Sequence, residues 1–274
     1  VRAYDPALDS WCEVASMAMG RCIHAAVALS GKLYAMGGWN VNEDTSFAEA
    51  EVYDPRADSW QPLPSMPTAR KRLAAVAVAG KVYAIGGENG DGYCDAVEAF
   101  DPLSGAWTRA ASLPVARSFH TATVVDGKIY VIGGERADFD YEDECVSINS
   151  VYVYDPAADS WQQMAAMPTA RGSHAAAVLG GKIYVTGGAL PSAESYDAVE
   201  AYDPVANTWT TLASLGLARA FHASAVVRGK LYVFGGFSGH GRMDQVEVYS
   251  PASNSWASAA SLPASLVGAV AVAL

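Results

Sequence analysis

The stretch FDPLSGAWTRAASLPVARSFHTATVVDGKIYVIGG, residues 100–134, decides the fold, because the chain spells it again and again. Trp107 stands 26 residues before Gly133, and the same interval separates Trp11 from Gly37, Trp60 from Gly86, Trp161 from Gly187 and Trp209 from Gly235. The aromatic that opens each unit precedes its Trp by 7 residues in every copy, from Tyr4/Trp11 to Tyr249/Trp256. From the second Gly to the next such aromatic the interval instead wanders, from 13 residues (Gly87 to Phe100) to 20 (Gly134 to Tyr154). Insertions confined to one connection per repeat collect on one face of the assembled array, often the binding face.

Each unit reads as four short strands. The runs His174–Leu179 and Lys182–Thr186 are separated by Gly180-Gly181, a hairpin signal. The same link recurs as Ser30-Gly31, Ala79-Gly80, Asp126-Gly127 and Arg228-Gly229, where a tight turn needs the positive φ that Gly adopts most cheaply. Asp197–Tyr202 alternates apolar and polar residues as a third strand, Asp203-Pro204 ends it, and Trp209 opens a fourth. Four antiparallel strands in each period of 47 (Arg70 to Arg117) to 54 residues (Arg117 to Arg171) predict an all-β propeller. Its blades must cover one another, with Tyr and Trp as the large pieces between them. The Gly-Gly pairs suit a tight bend or a close backbone approach near the axis.

The repeat makes residues 1–274 one propeller domain. Five full blades are expected at 21–69, 70–116, 117–170, 171–218 and 219–263. Residues 1–20 read as the outer strands of a further blade and 264–274 as its inner strand. The expectation is a six-bladed parent whose closing blade is incomplete in this chain.

A net charge of -11 argues against nucleic acid as a partner and suits a basic peptide. No apolar run of membrane-spanning length occurs, so no membrane is expected. Cys12, Cys22, Cys94 and Cys145 show neither C-x-x-C spacing nor repeat register, which points to free thiols in a reducing, cytoplasmic setting and to no zinc or disulfide framework. His24, His120, His174 and His222 share one repeat position, so the fold explains them, and His240 stands apart in a variable loop. The longest insertion, Asp138–Glu144, holds five carboxylates and reads as a solvated acidic loop or a contact for basic peptides, since no Gly is placed for a calcium turn. No nucleophile elbow, phosphate-binding glycine pattern, metal set or cofactor motif is present.

Tyr-Asp-Pro, Trp seven residues on, Met or Leu before an Arg, and Ile-Tyr-Val-Ile-Gly-Gly together resemble the kelch repeat, over essentially the whole chain. The spelling is most similar to the kelch domain of BTB-kelch substrate adaptors. That resemblance implies a non-catalytic module that presents proteins to a cullin-RING ubiquitin ligase, reaching the cullin through a BTB or F-box region outside these residues. It also implies that ligands bind the face made by the second-to-third-strand loops and by the residues leading into each first strand. Carried over by position, the residues after each Gly-Gly are Trp39, Glu88, Glu135, Ala189 and Phe237. Those two places after each repeat Arg are Ile23, Arg72, Phe119, Ser173 and Phe221. Trp39, Phe119, Phe221 and Phe237 fit aromatic contacts, Arg72 an anion contact and Ser173 a hydrogen-bonding group. Glu88 and Glu135 depart from a pocket for acidic ligands, so a mixed or partly basic peptide is expected. Two alternatives carry the same repeats: an actin-binding or scaffolding kelch protein, and a secreted or periplasmic carbohydrate enzyme such as a sialic acid epimerase. A copper radical oxidase would need two His and two Tyr at one site, and outside the repeat slots only His240 is available.

Overall fold

A computed structural model of the chain describes residues 1–272 except 6, 7, 9, 139–144 and 192–194. Most of the acidic loop at 138–144 lies outside the described residues. Those described form five four-stranded antiparallel sheets, each meandering in chain order. Blade 1 comprises Ala25–Leu29, Lys32–Met36, Ala50–Asp54 and Ser59–Leu63. Blade 2 starts at Ala74–Val78, blade 3 at Thr121–Val125, blade 4 at Ala175–Leu179 and blade 5 at Ala223–Val227. Both residues of each first hairpin link have positive φ, as at Asp126 (49°) and Gly127 (74°), the conformation a two-residue primed turn demands. No helix among the described residues is long and apolar enough to cross a membrane.

The paired aromatics pack as one unit inside each blade and bond across the seam to the blade before. Tyr154 and Trp161 face each other across the ladder with centroids 5.0 Å apart. Trp161 Nε1 donates to Ala111 O of blade 2 at 2.9 Å. The Tyr154 hydroxyl donates to Asp159 Oδ1, which also accepts from Ala111 N. Asp58, Asn207 and Asn254 repeat this bridge from the same slot, all at positive φ, where short polar side chains are at home. Blade 2 departs at both ends of the bond at once: Phe100 has no hydroxyl, and Gly105 fills the acceptor slot.

A two-stranded sheet, Arg2–Asp5 with Ser10–Glu13, sits between blades 5 and 1. Its Tyr4 and Trp11 meet Tyr232 and Phe234 of blade 5, and the neighbouring Ala15 bonds Asp58 and Trp60 of blade 1. Of residues 264–274, expected as the inner strand of this blade, the described 264–272 form no ladder. A strand exists only against a partner, and these residues meet none in register. They nevertheless occupy a repeat slot. Gly236 N donates to Leu266 O as Gly188 N donates to Arg219 O, so Leu266 stands in the sixth arginine position.

Candidate functional site

First strands of adjacent blades touch one another around the axis, and each is entered through the same short segment. The repeat arginines Arg21, Arg70, Arg117, Arg171 and Arg219 are the bolts of that segment. Each is almost wholly buried and donates to the carbonyl of the first Gly of its own Gly-Gly pair, as Arg219 Nη1 does to Gly235 O at 2.8 Å. Four of them also pair with a glutamate on the third strand: Arg21–Glu51 and Arg70–Glu98 at 2.7 Å, Arg171–Glu200 at 2.5 Å and Arg219–Glu247 at 2.6 Å. Arg117 is the exception. Tyr152 fills its glutamate slot, so the guanidinium lies 5.3 Å from that ring and bonds Ser150 Oγ instead. Burial lowers its pKa to about 10.

The Gly-Gly pairs pass directly under these arginines. A Cβ on Gly134 would lie 2.5 Å from Ser118 O, and one on Gly37 2.6 Å from Arg70 O, with both glycines at positive φ. Here a side chain is excluded by backbone. The residue after each Gly-Gly then bridges to the residue after the arginine, in Cys22/Trp39, Lys71/Glu88, Ser118/Glu135, Gly172/Ala189 and Ala220/Phe237. Both sets of sequence-predicted positions therefore share one face.

Two places after each arginine the backbone turns left-handed. Ile23, Arg72, Phe119, Ser173 and Phe221 all have φ between 47° and 57°, and Gly268 (67°) completes the series. Their backbones form a ring around the axis. Arg72 N donates to Ile23 O, Phe119 N to Arg72 O, Ser173 N to Phe119 O, Phe221 N to Ser173 O and Gly268 N to Phe221 O. Bulky and β-branched residues rarely accept this conformation, and such strain gathers at ligand-binding positions. Neither the ring nor its sixth member was read from the sequence, because no residue type marks the slot. The usable signal was Leu262-Pro263, which stands four residues before Leu266 just as Leu113 stands before Arg117.

The ring lines the mouth of a cavity of about 140 Å³, lined also by His24, His120, His174 and His222. Burial, with the nearby repeat arginines, holds these imidazoles neutral: His24 falls to about 4, His174 to about 3, and His120 and His222 lie well below the usual value. Thr121 and Thr186 hydroxyls meet His174 and His222 Nε2 at 3.0 and 2.9 Å. The histidines are thus part of the wall.

On the mouth, the structure brings three predicted residues into direct contact. The Arg72 guanidinium lies 4.2 Å from the Phe119 ring centroid, and Phe119 meets Phe221 edge-on at 5.4 Å. Ser173 lies between them in the ring, but only 8% of its surface is open. Arg72 also donates to Glu88 Oε1 at 2.5 Å, so its charge is already matched. Arg72, expected as an anion contact, meets the Glu88 carboxylate within the chain and keeps about a third of its side chain exposed. Trp39 lies apart at the rim under Lys71, whose Nζ is 4.6 Å from its ring. Phe237, at the blade 5 rim, is 44% exposed. Cys12, Cys22, Cys94 and Cys145 are free thiols, and among the described residues no group of His, Cys, Asp and Glu has the geometry of a metal site.

Five blades of this design, with arginine bolts and Gly-Gly bends, define a kelch-type β-propeller. The pattern of the KLHDC2/KLHL20/DRC7 Kelch-repeats domain matches residues 23–218, and the general Kelch motif matches residues 218–263. The chain belongs to the KLHDC2/KLHL20/DRC7 Kelch-repeats domain family. No curated protein matches its sequence. Among solved structures it is similar to one titled "Structure of YjhT", at 17% identity and a TM-score of 0.80, over 94% of this chain and 89% of that one. At that identity the likeness establishes the fold alone.

Proposed function

We propose that this propeller is a non-catalytic protein-recognition module whose mouth face holds a segment of a partner protein, as the substrate-recognition part of a cullin-RING ubiquitin ligase adaptor. One observation carries the reading. The slot two places after each arginine differs from repeat to repeat, and three of its occupants, Arg72, Phe119 and Phe221, meet in one partly exposed patch. Aromatic and arginine side chains are the residues that most often dominate protein interfaces. Replacing Phe221 or Arg72 by Ala weakens the partner by more than ~1 kcal/mol while the unfolding midpoint holds. Unchanged affinity in both variants places the site elsewhere. The ligase connection is tested separately, by asking whether a cullin co-purifies with the protein expressed from its full gene; if none does, the module serves another assembly.

A further inference from the structure

At three seams between blades, the residue after Gly-Gly reaches across to the residue after the next arginine, and the pairs differ in chemistry. Trp39 of blade 1 meets the Lys71 ammonium of blade 2. Glu88 of blade 2 accepts from the Ser118 hydroxyl of blade 3 at 2.9 Å and pairs with Arg72, with Lys71 at 3.9 Å. Glu135 of blade 3 lies against Gly172 of blade 4, which has no side chain to offer. A Cβ there would stand 2.6 Å from Glu135 Oε1, so it is the glycine that makes room for the carboxyl group.

Glu135 is consequently a carboxyl group 93% removed from solvent, whose hydrogen-bond donor among the described residues is the Cys145 thiol at 3.9 Å, a weak one. Burial pushes its pKa up, the Arg72 charge opposes this, and Glu88 adds to it. Arg72 is close enough for its charge to act on Glu135, yet it is committed to Glu88 and to the Phe119 ring. Among the described residues, then, Glu88 has an ion pair and Glu135 has none, Arg72 acting on it only at longer range. A buried acidic group that lacks a cation is costly to ionise, and a matching charge removes that cost.

We propose that Glu135 receives a cationic side chain, a lysine or arginine of the bound partner, presented beside the Phe119 and Phe221 rings. This inference rests on the mouth being the recognition face. The aromatic patch suits such a guest, because a cation over an aromatic face is attracted to it, as Arg72 already is to Phe119. The excess of acidic residues, a net charge of -11, steers a basic segment toward the protein. At the matching seams of blades 4 and 5 stand Ala189 and Phe237, which carry no charge, so the cation site belongs to the blade 3 to blade 4 seam.

The test is selection of a random-sequence displayed peptide library on the whole chain, with the Phe119→Ala/Phe221→Ala protein as counter-selection. Selected peptides are expected to share a Lys or Arg. Its replacement by norleucine should weaken binding more than tenfold on the native protein and less than threefold on Glu135→Gln, the signature of a pair in a double-mutant cycle. Gly172→Ser, which places a competing donor in the seam, should weaken the same peptides. Peptides that depend on both phenylalanines but carry no basic residue, or that lose the same factor on both proteins, overturn the cation site and leave the mouth reading standing. Failure to select any peptide that distinguishes the phenylalanine variant overturns both.

Discussion

Arg70 and Arg72 stand two residues apart and meet opposite fates. Arg70 is fully buried, paired with Glu98 at 2.7 Å and bonded to the carbonyls of Ala84, Gly86 and Ala96. Four other blades place an arginine in its slot. Arg72 is about a third exposed along its side chain and rests on Phe119, and its slot holds Ile23, Phe119, Ser173 or Phe221 elsewhere. Where the repeats agree, the residue is locked to backbone and builds the ring. Where they differ, the backbone stays fixed in a left-handed ring and the side chain is free to be chosen for a partner.

The sharpest way to break this contrast is to truncate both arginines. Arg70→Ala leaves Glu98 buried without its cation and should cost ~3–5 kcal/mol in chemical denaturation. Arg72→Ala removes a partly exposed pair and should cost less than ~1 kcal/mol of stability, with its effect appearing in partner binding. Equal destabilisation would erase the distinction between scaffold and mouth.

A glycine pair separates close packing from backbone conformation. Gly134 and Gly127 both have positive φ, but a Cβ on Gly134 meets Ser118 O and His120, whereas one on Gly127 meets nothing within 4 Å. Gly134→Val should therefore destabilise several times more than Gly127→Val; matched melting temperatures would show that the bend tolerates a side chain.

The buried histidines sharpen the contrast through pH. With folded values near 4 for His24 and 3 for His174, against about 6.5 unfolded, the unfolded chain binds more protons below pH 6.5. Stability contributed by the neutral imidazoles is present above pH 6.5 and falls as the pH drops from 6.5 toward 4, and toward 3 for His174. Denaturation midpoints across pH 4–7 should show this slope, and His174→Gln should flatten it; a slope unchanged by that variant would mean that His174 is not the group titrating. The smallest effect is in blade 2, where Phe100→Tyr alone should gain nothing, while Phe100→Tyr with Gly105→Asn restores only the hydroxyl bond within the blade, because the seam residue there is Pro64, which has no N–H to donate, and gains at most ~1 kcal/mol in the same assay.

Most of the scaffold was legible because each of its parts needs a particular residue. Only glycine fits under the arginine backbone, only Trp donates across the seam from that position, and proline stops the third strand, so spacing alone located five blades. The left-handed ring was invisible for the opposite reason: its φ is imposed by neighbouring blades through backbone bonds, and Ile, Arg, Phe and Ser all submit to it. Val267 to Leu274 reads as a strand by composition, yet a strand needs a ladder partner, and its described part, to Val272, forms no ladder, while Leu266 and Gly268 fill the sixth slots. Of the site residues, Arg72, Phe119 and Phe221 do converge, while Trp39 and Phe237 mark the rim. Glu88 and Glu135 appeared in the sequence only as departures from an acidic-ligand pocket; the seam geometry, which no spacing encodes, is what tells them apart.

The most direct test of the account is calorimetric titration of a peptide selected on the native chain into the Phe119→Ala/Phe221→Ala protein, with its unfolding midpoint measured alongside. The account predicts that affinity falls at least tenfold while the midpoint stays that of the native chain. Unchanged affinity in a folded variant would contradict it and move recognition away from the mouth.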